Sequence, residues 1–150
     1  MTDDDTAPTR LTGLPSWLLT QTAAYAGRLV TDGLASVDAR GYHFRVLATL
    51  DEYGPASQAA LGRRSGIHLS DLVAAINELA ARGLVERAPD LDDRRRNVVT
   101  LTATGRRQLA TLDEQLATVQ EQLLTPLSAA ERTQLTTLLA KLLAYHRMSS

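Results

Sequence analysis

The 150-residue sequence contains no cysteine, few aromatic residues and no long apolar run. Without cysteine, the chain cannot form disulfides, bind zinc through thiolates or sense redox state through a thiol. Aromatic residues account for 4% and apolar residues for 44% of the sequence, which predicts a folded core of Leu, Val and Ala, as in a helical protein. The N-terminus is acidic and polar, and no stretch of about 18 apolar residues follows it, so we expect a soluble, cytoplasmic protein without a membrane partner.

Signatures of catalysis are missing as well. His43, His68 and His146 are far apart in the sequence, and none occurs in a metal-ligand spacing. The chain has neither the G-x-S-x-G pattern that presents a nucleophilic serine nor a glycine-rich phosphate loop. We therefore expect no enzyme, no bound metal and no cofactor.

Charge is nearly balanced overall but unevenly distributed. The net charge is −1, yet residues 57–107 hold nine arginines against six acidic residues. The remainder holds seven basic and eleven acidic residues, so the negative charge lies outside that segment. Such asymmetry is typical of a protein that presents one basic face to phosphate.

The stretch from residue 83 to residue 105 predicts a β-ribbon with a charged tip. Strand-forming Leu and Val residues flank a segment, residues 90–96, that is too polar for a core. This segment ends in three consecutive arginines, Arg94, Arg95 and Arg96. Because like charges at a hairpin tip repel one another, the triplet indicates an anionic partner.

Two short helices joined by a tight turn are predicted before the ribbon. Ser57 is the expected N-cap of the first, and Ser65-Gly66 supplies the turn. The second covers about residues 69–81, with apolar residues at the spacing of a buried helical face. Its outward face consists of Ser70, Asp71, Val73, Ala74 and Asn77. Helix, turn, helix and arginine-tipped ribbon form a winged helix-turn-helix DNA-binding module, whose second helix reads base edges.

Apolar helices are predicted on both sides of this module. We expect a disordered acidic tail over residues 1–13, a helical dimerisation region over 14–40 and 103–147, and the winged module over 41–102. The leucine stripes of the C-terminal helices exceed what the module can cover, which predicts a partner chain. A two-fold homodimer would place two recognition helices about one DNA turn apart. The expected fold is mainly α with a small β-wing.

The ribbon and its flanking segments resemble the MarR family of transcriptional regulators, over about residues 16–147. The family's wing follows approximately D-P-x-D-R-R-x-x-x-V-x-L-T-x-x-G, and residues 90–105 are DLDDRRRNVVTLTATG, with Leu91 in place of the proline. Gly54-Pro55, Ser57-Gln58 and the stretch LAARGLV at residues 79–85 are also similar. The resemblance implies a triangular homodimer with interleaved terminal helices and a winged module at each lower corner.

The resemblance also implies roles for the wing residues. Arg95 matches the arginine that enters the minor groove, where narrow A·T stretches favour a guanidinium. Asp93 is expected to hold the shape of the wing through an intramolecular pair, since phosphate repels a carboxylate. A solvated loop is the alternative for the arginines, but their position beside a helix pair favours DNA contact.

The other DNA-binding candidates allow two interpretations. Arg63 and Arg64, at the end of the first helix of the pair, either contact phosphates or complement the helix dipole. Asp71 is explained more simply as a partner of the dipole at a helix N-terminus. The outward face of the recognition helix carries no Lys or Arg, so direct readout would rest on Ser70, on Asn77 and on apolar contact with thymine methyls.

An effector pocket is implied by the same resemblance. In many family members a small, often anionic aromatic molecule binds in the crevice between the dimer arm and the winged module. The candidate lining residues are Trp17, Gln21, Tyr25, His43 and Arg45, and Arg45 is the best of them for gripping a carboxylate. The alternative is that Trp17 and Tyr25 are ordinary interface aromatics.

Together these patterns predict a homodimeric repressor that binds a pseudo-palindromic double-stranded DNA operator and is released by a small molecule. Two other classes stay open. One is a winged-helix protein–protein adaptor that has lost DNA binding, which the cation-poor recognition helix favours. The other is a ligand-binding dimer without sequence-specific DNA binding.

Overall fold

The computed structural model describes residues 6–150, which form a mainly helical chain with one small antiparallel sheet. The helices are α1 (Thr9–Thr12), α2 (Pro15–Ala35), α3 (Gly41–Tyr53), α4 (Gln58–Ser65), α5 (Leu69–Ala81), α6 (Ala103–Leu123) and α7 (Ala129–Ser149), and the strands are β1 (Ala56–Ser57), β2 (Val85–Pro89) and β3 (Asn97–Leu101). The predicted helix pair, ribbon and long flanking helices are confirmed, as is the fold class.

Helices α3, α4 and α5 pack with the sheet into a winged module around one apolar core. Val46 and Leu47 of α3, Leu61 of α4 and Ile76 of α5 are all fully buried. The stripe predicted for the recognition helix is confirmed, because all four of its members, Leu72, Ala75, Ile76 and Leu79, are buried. This core fixes α5 with its other face toward solvent.

The sheet has the order β1-β3-β2, and β1 was not predicted from the sequence. Ala56 and Ser57 pair with Val99 and Val98 on the edge of β3 that faces away from β2. Two residues are too few to show an alternating pattern, so only the free edge of β3 makes this segment a strand. The pairing attaches the start of α4 to the base of the wing.

Side chains cap three helix starts, and the cap predicted at Ser57 is confirmed. The Ser57 side chain accepts a hydrogen bond from the Ala60 amide, and the Thr102 side chain accepts one from the Gly105 amide. Ser128 and Glu131 form the reciprocal capping box at the start of α7. Hydrogen bonds with Ser128, first that of its amide and then that of its side chain, lower the pKa of the Glu131 carboxyl. These caps satisfy amides that a helix leaves without partners.

Gly66 closes the turn between α4 and α5. Its φ of 69° lies in the left-handed region, where a side chain would be strained. Its amide donates to the Gly62 carbonyl at 3.1 Å, which ends α4 within one residue. The following residue, Ile67, turns into the core and is 5% exposed. The turn therefore sets the angle at which α5 leaves α4.

The arm consists of α2 and α6, which pack against each other, and of α7, which has no buried residue within the described chain. Four leucines of α7 border an apolar groove of about 700 Å³ between α2, the end of α6 and α7, namely Leu135, Leu138, Leu139 and Leu142. The most exposed leucines of α7 are Leu138, Leu139, Leu142 and Leu143. A helix bound only at its edge leaves such a surface open to a partner chain.

The N-terminal segment differs in part from the predicted tail. Residues 1–5 of the predicted disordered tail lie outside the described residues. Thr9–Thr12 form one helical turn rather than irregular chain. Pro8 begins it, with a fixed φ that suits a helix start, and its carbonyl accepts from the Leu11 and Thr12 amides. Single turns show too little apolar periodicity to be predicted from sequence.

The first turn of α6 lies directly against the strand segment that leads into β2. A Cβ added at Gly105 would overlap the Leu84 carbonyl oxygen and lie 2.7 Å from a Leu101 methyl carbon. The Thr102 hydroxyl lies 2.7 Å from the Gly83 carbonyl oxygen and 3.0 Å from that of Leu84. Glycine is therefore required where the arm joins the module.

Replacing this glycine should destabilise the protein. We expect Gly105→Ala to lower the free energy of unfolding by about 2–3 kcal/mol, because the new methyl group meets rigid backbone rather than a movable side chain. Gly41→Ala is the matched control, since a Cβ there meets nothing within 4 Å. Chemical denaturation of both variants at equal protein concentration measures the difference. Equal stabilities would contradict the close approach.

Candidate nucleic-acid interface

The wing is formed by β2, β3 and the tip that joins them. The Asp90 amide donates to the Arg96 carbonyl at 2.8 Å and closes the tip, while the Asp90 carboxylate accepts from the Asp92 amide at 2.9 Å. Leu91 stands where the family's wing has proline, and it is 99% exposed at the tip. The tip is thus held by its own polar groups and carries an apolar residue outward.

Asp93 is bonded to the arginines that follow it. Its carboxylate accepts from the Arg95 amide at 3.1 Å and from Arg95 Nε at 3.2 Å, and Arg96 Nε lies 3.6 Å from its second oxygen. The Arg95 hydrogen bonds, first that of the amide, lower the pKa of the Asp93 carboxyl. The predicted role of Asp93 as an intramolecular partner that shapes the wing is confirmed.

The three arginines of the tip are exposed. The side chains of Arg95 and Arg96 are 92% and 65% exposed even though both contact Asp93, and Arg94 is exposed as well. Exposed ion pairs are weak, so either guanidinium can leave Asp93 for a phosphate or a groove at little cost. The wing therefore presents its cations to whatever approaches the tip.

The outward face of α5 agrees with the sequence prediction. Ser70, Asp71, Ala74 and Asn77 are exposed, and Val73 is half-buried. Leu69, at the start of α5, is 61% exposed and extends this face with an apolar side chain. Sequence reasoning missed Leu69, because a leucine at a helix start is usually counted with the core.

The end of α4 and the base of the wing flank this helix. Arg63 and Arg64 occupy the last turn of α4, and the Arg64 guanidinium carbon lies 4.9 Å from the centre of the Tyr53 ring. A cleft of about 280 Å³ lies between the start of α4 and the wing, lined by Ser57, Gln58, Ala59, Arg96 and Asn97. The wing and the helix pair are therefore contiguous.

A second concave surface lies where the arm meets the winged module. This crevice of about 410 Å³ is lined by the C-terminal half of α2, the loop after it and the start of α3, namely Val30, Thr31, Ala35, Ala39, Arg40, Gly41, Tyr42 and Arg45. Its walls are mostly apolar, and two guanidinium groups border them. Such a surface suits a small molecule with an apolar body and an anionic group.

The predicted effector residues are divided between different places. Arg45 lines the crevice, whereas Trp17, Gln21 and Tyr25 lie on the N-terminal half of α2. His43 lies two residues before Arg45 on α3, and two residues along a helix rotate a side chain by about 200°. His43, 5% exposed, therefore turns away from the crevice and toward α5. The Tyr25 ring stacks against the Arg28 guanidinium at 4.6 Å. A single protomer therefore brings Arg45, and not the other four, to this crevice.

Three residues near the crevice were not predicted from the sequence. Arg40 and Tyr42 line it, and the Arg40 guanidinium contacts the Glu78 carboxylate of α5. Hydrogen bonds from Arg40 and then from His43 lower the pKa of the Glu78 carboxyl. Arg40 precedes a glycine at a helix start, and only the packing of α3 on α5 places it beside Glu78.

Neither a metal-binding cluster nor a helix suited to span a membrane occurs in the described part of the chain. Among residues 6–150, no group of three or more His, Asp or Glu side chains is placed to hold a metal ion. No helix of that range is long and apolar enough to cross a membrane.

Acidification should loosen the wing tip at a pH set by Asp93. Because its pKa is lowered, the Asp93 hydrogen bonds contribute fully above the ordinary value of 3.8 and are lost as the pH falls through the lowered pKa. In an NMR titration, the Arg95 amide should therefore shift with a midpoint below 3.8. Asp93→Asn should abolish that shift and leave the α6 amides unchanged. A midpoint at or above the ordinary value would contradict the pairing.

Known proteins share this sequence and architecture. The MarR family model matches residues 35–96. The HTH-type transcriptional repressor NicR of Pseudomonas putida is 32% identical over 100 residues, which cover 67% of this chain and 63% of that repressor. The alignment therefore spans slightly less than two thirds of that relative's length.

Solved structures match nearly the whole chain. The crystal structure of a probable transcriptional regulator from Pseudomonas aeruginosa has a TM-score of 0.77 and 32% identity, and the match covers 89% of this chain and 99% of that one. Bordetella bronchiseptica BpsR, whose DNA binding is regulated by 6-hydroxynicotinic acid, has a TM-score of 0.77 at 24% identity, covering 91% and 97%. The chain therefore belongs to the MarR family of winged helix-turn-helix transcriptional regulators.

Proposed function

We propose that this protein is a transcriptional repressor that binds a pseudo-palindromic DNA operator as a homodimer and is released by a small aromatic carboxylate. The observation that carries this proposal is the exposed arginine tip of a wing whose strand β2 packs on the exposed recognition helix α5. An enzyme is not proposed, because members of the family are transcriptional regulators.

The wing and the recognition helix α5 have different roles in this proposal, because they carry different charges. The wing supplies cations for the minor groove. The outward face of α5 offers hydroxyl, amide and apolar groups, with the Asp71 carboxylate in its first turn and no cation. Asn77 suits the edge of an adenine, and Ala74 and Leu69 suit thymine methyls. Affinity then depends on Arg95 and its neighbours, with Arg63 as a phosphate contact at the end of α4. We expect an operator rich in A·T pairs, read partly by its shape.

The proposed dimer is formed by the arm. The α7 leucines and the groove beside them are apolar and open in the single chain, and a second copy would bury both. Isologous pairing of this surface gives a two-fold axis, which relates two winged modules as an inverted repeat relates two half-sites. The operator symmetry of the proposal rests on this axis.

The proposed effector site is the crevice beside Arg45. Its apolar walls fit an aromatic ring, and Arg40 and Arg45 border it with positive charge. The similarity to BpsR, regulated by 6-hydroxynicotinic acid, supports an aromatic carboxylate as the ligand class. A ligand that prefers one spacing of the two modules would shift the dimer away from the operator-binding spacing.

Loss of the wing arginine should weaken operator binding in a salt-dependent way. With an operator selected from a random duplex pool, we expect Arg95→Ala to reduce affinity about tenfold at physiological salt. The slope of log affinity against log salt should fall by about two, because each wing of the dimer loses one cation. Arg28→Ala, on the arm, is the control. Unchanged affinity and slope would instead favour a winged-helix protein–protein adaptor, which the cation-poor face of α5 also fits.

The arm should dimerise through the α7 leucines. The wild-type protein should sediment with twice the 16.3 kDa chain mass. Leu139→Asp should produce monomers, because it places a charge in the apolar interface. Thr137→Asp, on the opposite face of α7, should leave the dimer intact. A dimeric Leu139→Asp protein would exclude this face as the interface.

A further inference from the structure

We propose that Arg40 exchanges partners between Glu78 of the recognition helix and the anionic group of a ligand in the crevice, and that this exchange transmits ligand binding to α5. The inference rests on the proposed effector site and specifies how that site acts on DNA binding. It assigns Arg40 a role that neither its sequence position nor its distance from the wing would suggest.

Arg40 lies at the boundary of two cavities. It lines the crevice between arm and module, and it also lines a smaller cavity of about 100 Å³ between α3 and α5, together with Glu78. Its guanidinium contacts the Glu78 carboxylate, yet its side chain is 68% exposed. An exposed arginine side chain has the freedom to rotate toward either cavity. A carboxylate in the crevice would therefore compete with Glu78 for the same cation.

Glu78 keeps a partner when Arg40 leaves. The Glu78 carboxylate lies 2.6 Å from Nε2 of His43, whose side chain is 7% exposed. Nδ1 of the same ring accepts from the Arg40 backbone amide at 3.2 Å, which assigns the ring proton to Nε2 and makes His43 a donor to Glu78. When Arg40 leaves, the Glu78 carboxylate therefore keeps a hydrogen bond from His43. Of these three residues, Arg40 is the one that can move.

The loop that Arg40 ends connects the arm to the module. The Asp38 carbonyl in this loop accepts from the Arg82 guanidinium at 2.8 Å, so the loop contacts α5 at a second point just beyond its end. The Val37 carbonyl accepts from the Gln108 side chain of α6 at 3.4 Å. Loss of the Arg40 contact releases Glu78, in the last turn of α5, from this loop. The Arg82 contact one turn further along then remains, which permits α5 to shift about that point relative to the arm.

The second guanidinium of the crevice completes the ligand site. Arg45 lies on the next turn of α3, and its guanidinium carbon is 6.0 Å from the centre of the Tyr42 ring. A carboxylate placed between Arg40 and Arg45 would gain two cationic partners at once. Ligand binding and the Arg40–Glu78 contact are then mutually exclusive. By linkage, the contact belongs to the operator-binding state.

Removing the charge of Glu78 tests the exchange. We expect Glu78→Gln to raise the affinity for benzoate, the simplest aromatic carboxylate, by about two- to fivefold, the range for an exposed ion pair. The same variant should lower operator affinity by about the square of that factor, because the operator binds both protomers of the dimer, and it should reduce the effect of benzoate on operator binding. Glu114→Gln, an equal change of charge on the arm, should change none of these quantities. Calorimetry and operator titration measure them on the full-length protein.

The outcomes separate the exchange from the effector site itself. Benzoate binding that Arg45→Ala weakens and Glu78→Gln leaves unchanged would overturn the exchange and retain the crevice as the site. No benzoate binding by the wild type or by Glu78→Gln would overturn both.

Arg40→Ala provides a second test that tolerates poor folding of the Glu78 variant, because it truncates an exposed side chain. It should lower operator affinity about as much as Glu78→Gln does, and the double variant should lower it no further. Additive losses would overturn the exchange.

Discussion

The close approach of α6 to the sheet is the constraint on which the other relations depend. Gly105 permits the first helical turn to lie against the Leu84 backbone, and Thr102 bonds to the same segment while it caps the helix. Because β3 leads into α6 after a single residue, the arm cannot tilt without moving the wing. In the proposed dimer, any change in the angle between the two arms would therefore change the spacing of the two wings. That spacing must match the distance between the two half-sites of an inverted repeat in DNA.

In the proposed interface with DNA, packing and electrostatics have separate roles within one module. Packing holds α5 by its buried stripe, so its outer face is free to carry groups chosen for base contact rather than for stability. Asp93 holds Arg95 and Arg96 through exposed and therefore weak pairs, so both guanidinium groups stay available to an anionic partner. A positively charged wing beside a recognition helix that carries no Lys or Arg favours readout through groove shape over a dense set of hydrogen bonds.

Regulation, in the proposal made here, uses a contact of ordinary strength. An exposed ion pair such as Arg40–Glu78 supplies a coupling of only a few fold per protomer, and a two-fold dimer doubles its free energy. The pair gains its effect from location, because it joins the crevice to the last turn of the recognition helix. His43 allows the exchange by remaining with Glu78 in both states. The same helix α3 thus presents Arg45 to the crevice and His43 to α5, on opposite faces.

The helix pair, the ribbon, the cap at Ser57, the buried stripe of α5 and the charged wing could all be predicted from the sequence, because each depends on residues close together in the chain. Periodicity, capping and turn chemistry are local properties. The sequence by itself did not determine the short strand β1, the helical turn α1 or the division of the aromatic and basic candidates between the crevice and other surfaces. Those depend on which distant segments meet: β1 exists because β3 has a free edge, and Arg40 lies beside Glu78 because α3 packs on α5 across 38 residues of chain. Tertiary structure alone decides such contacts, since no local pattern records them.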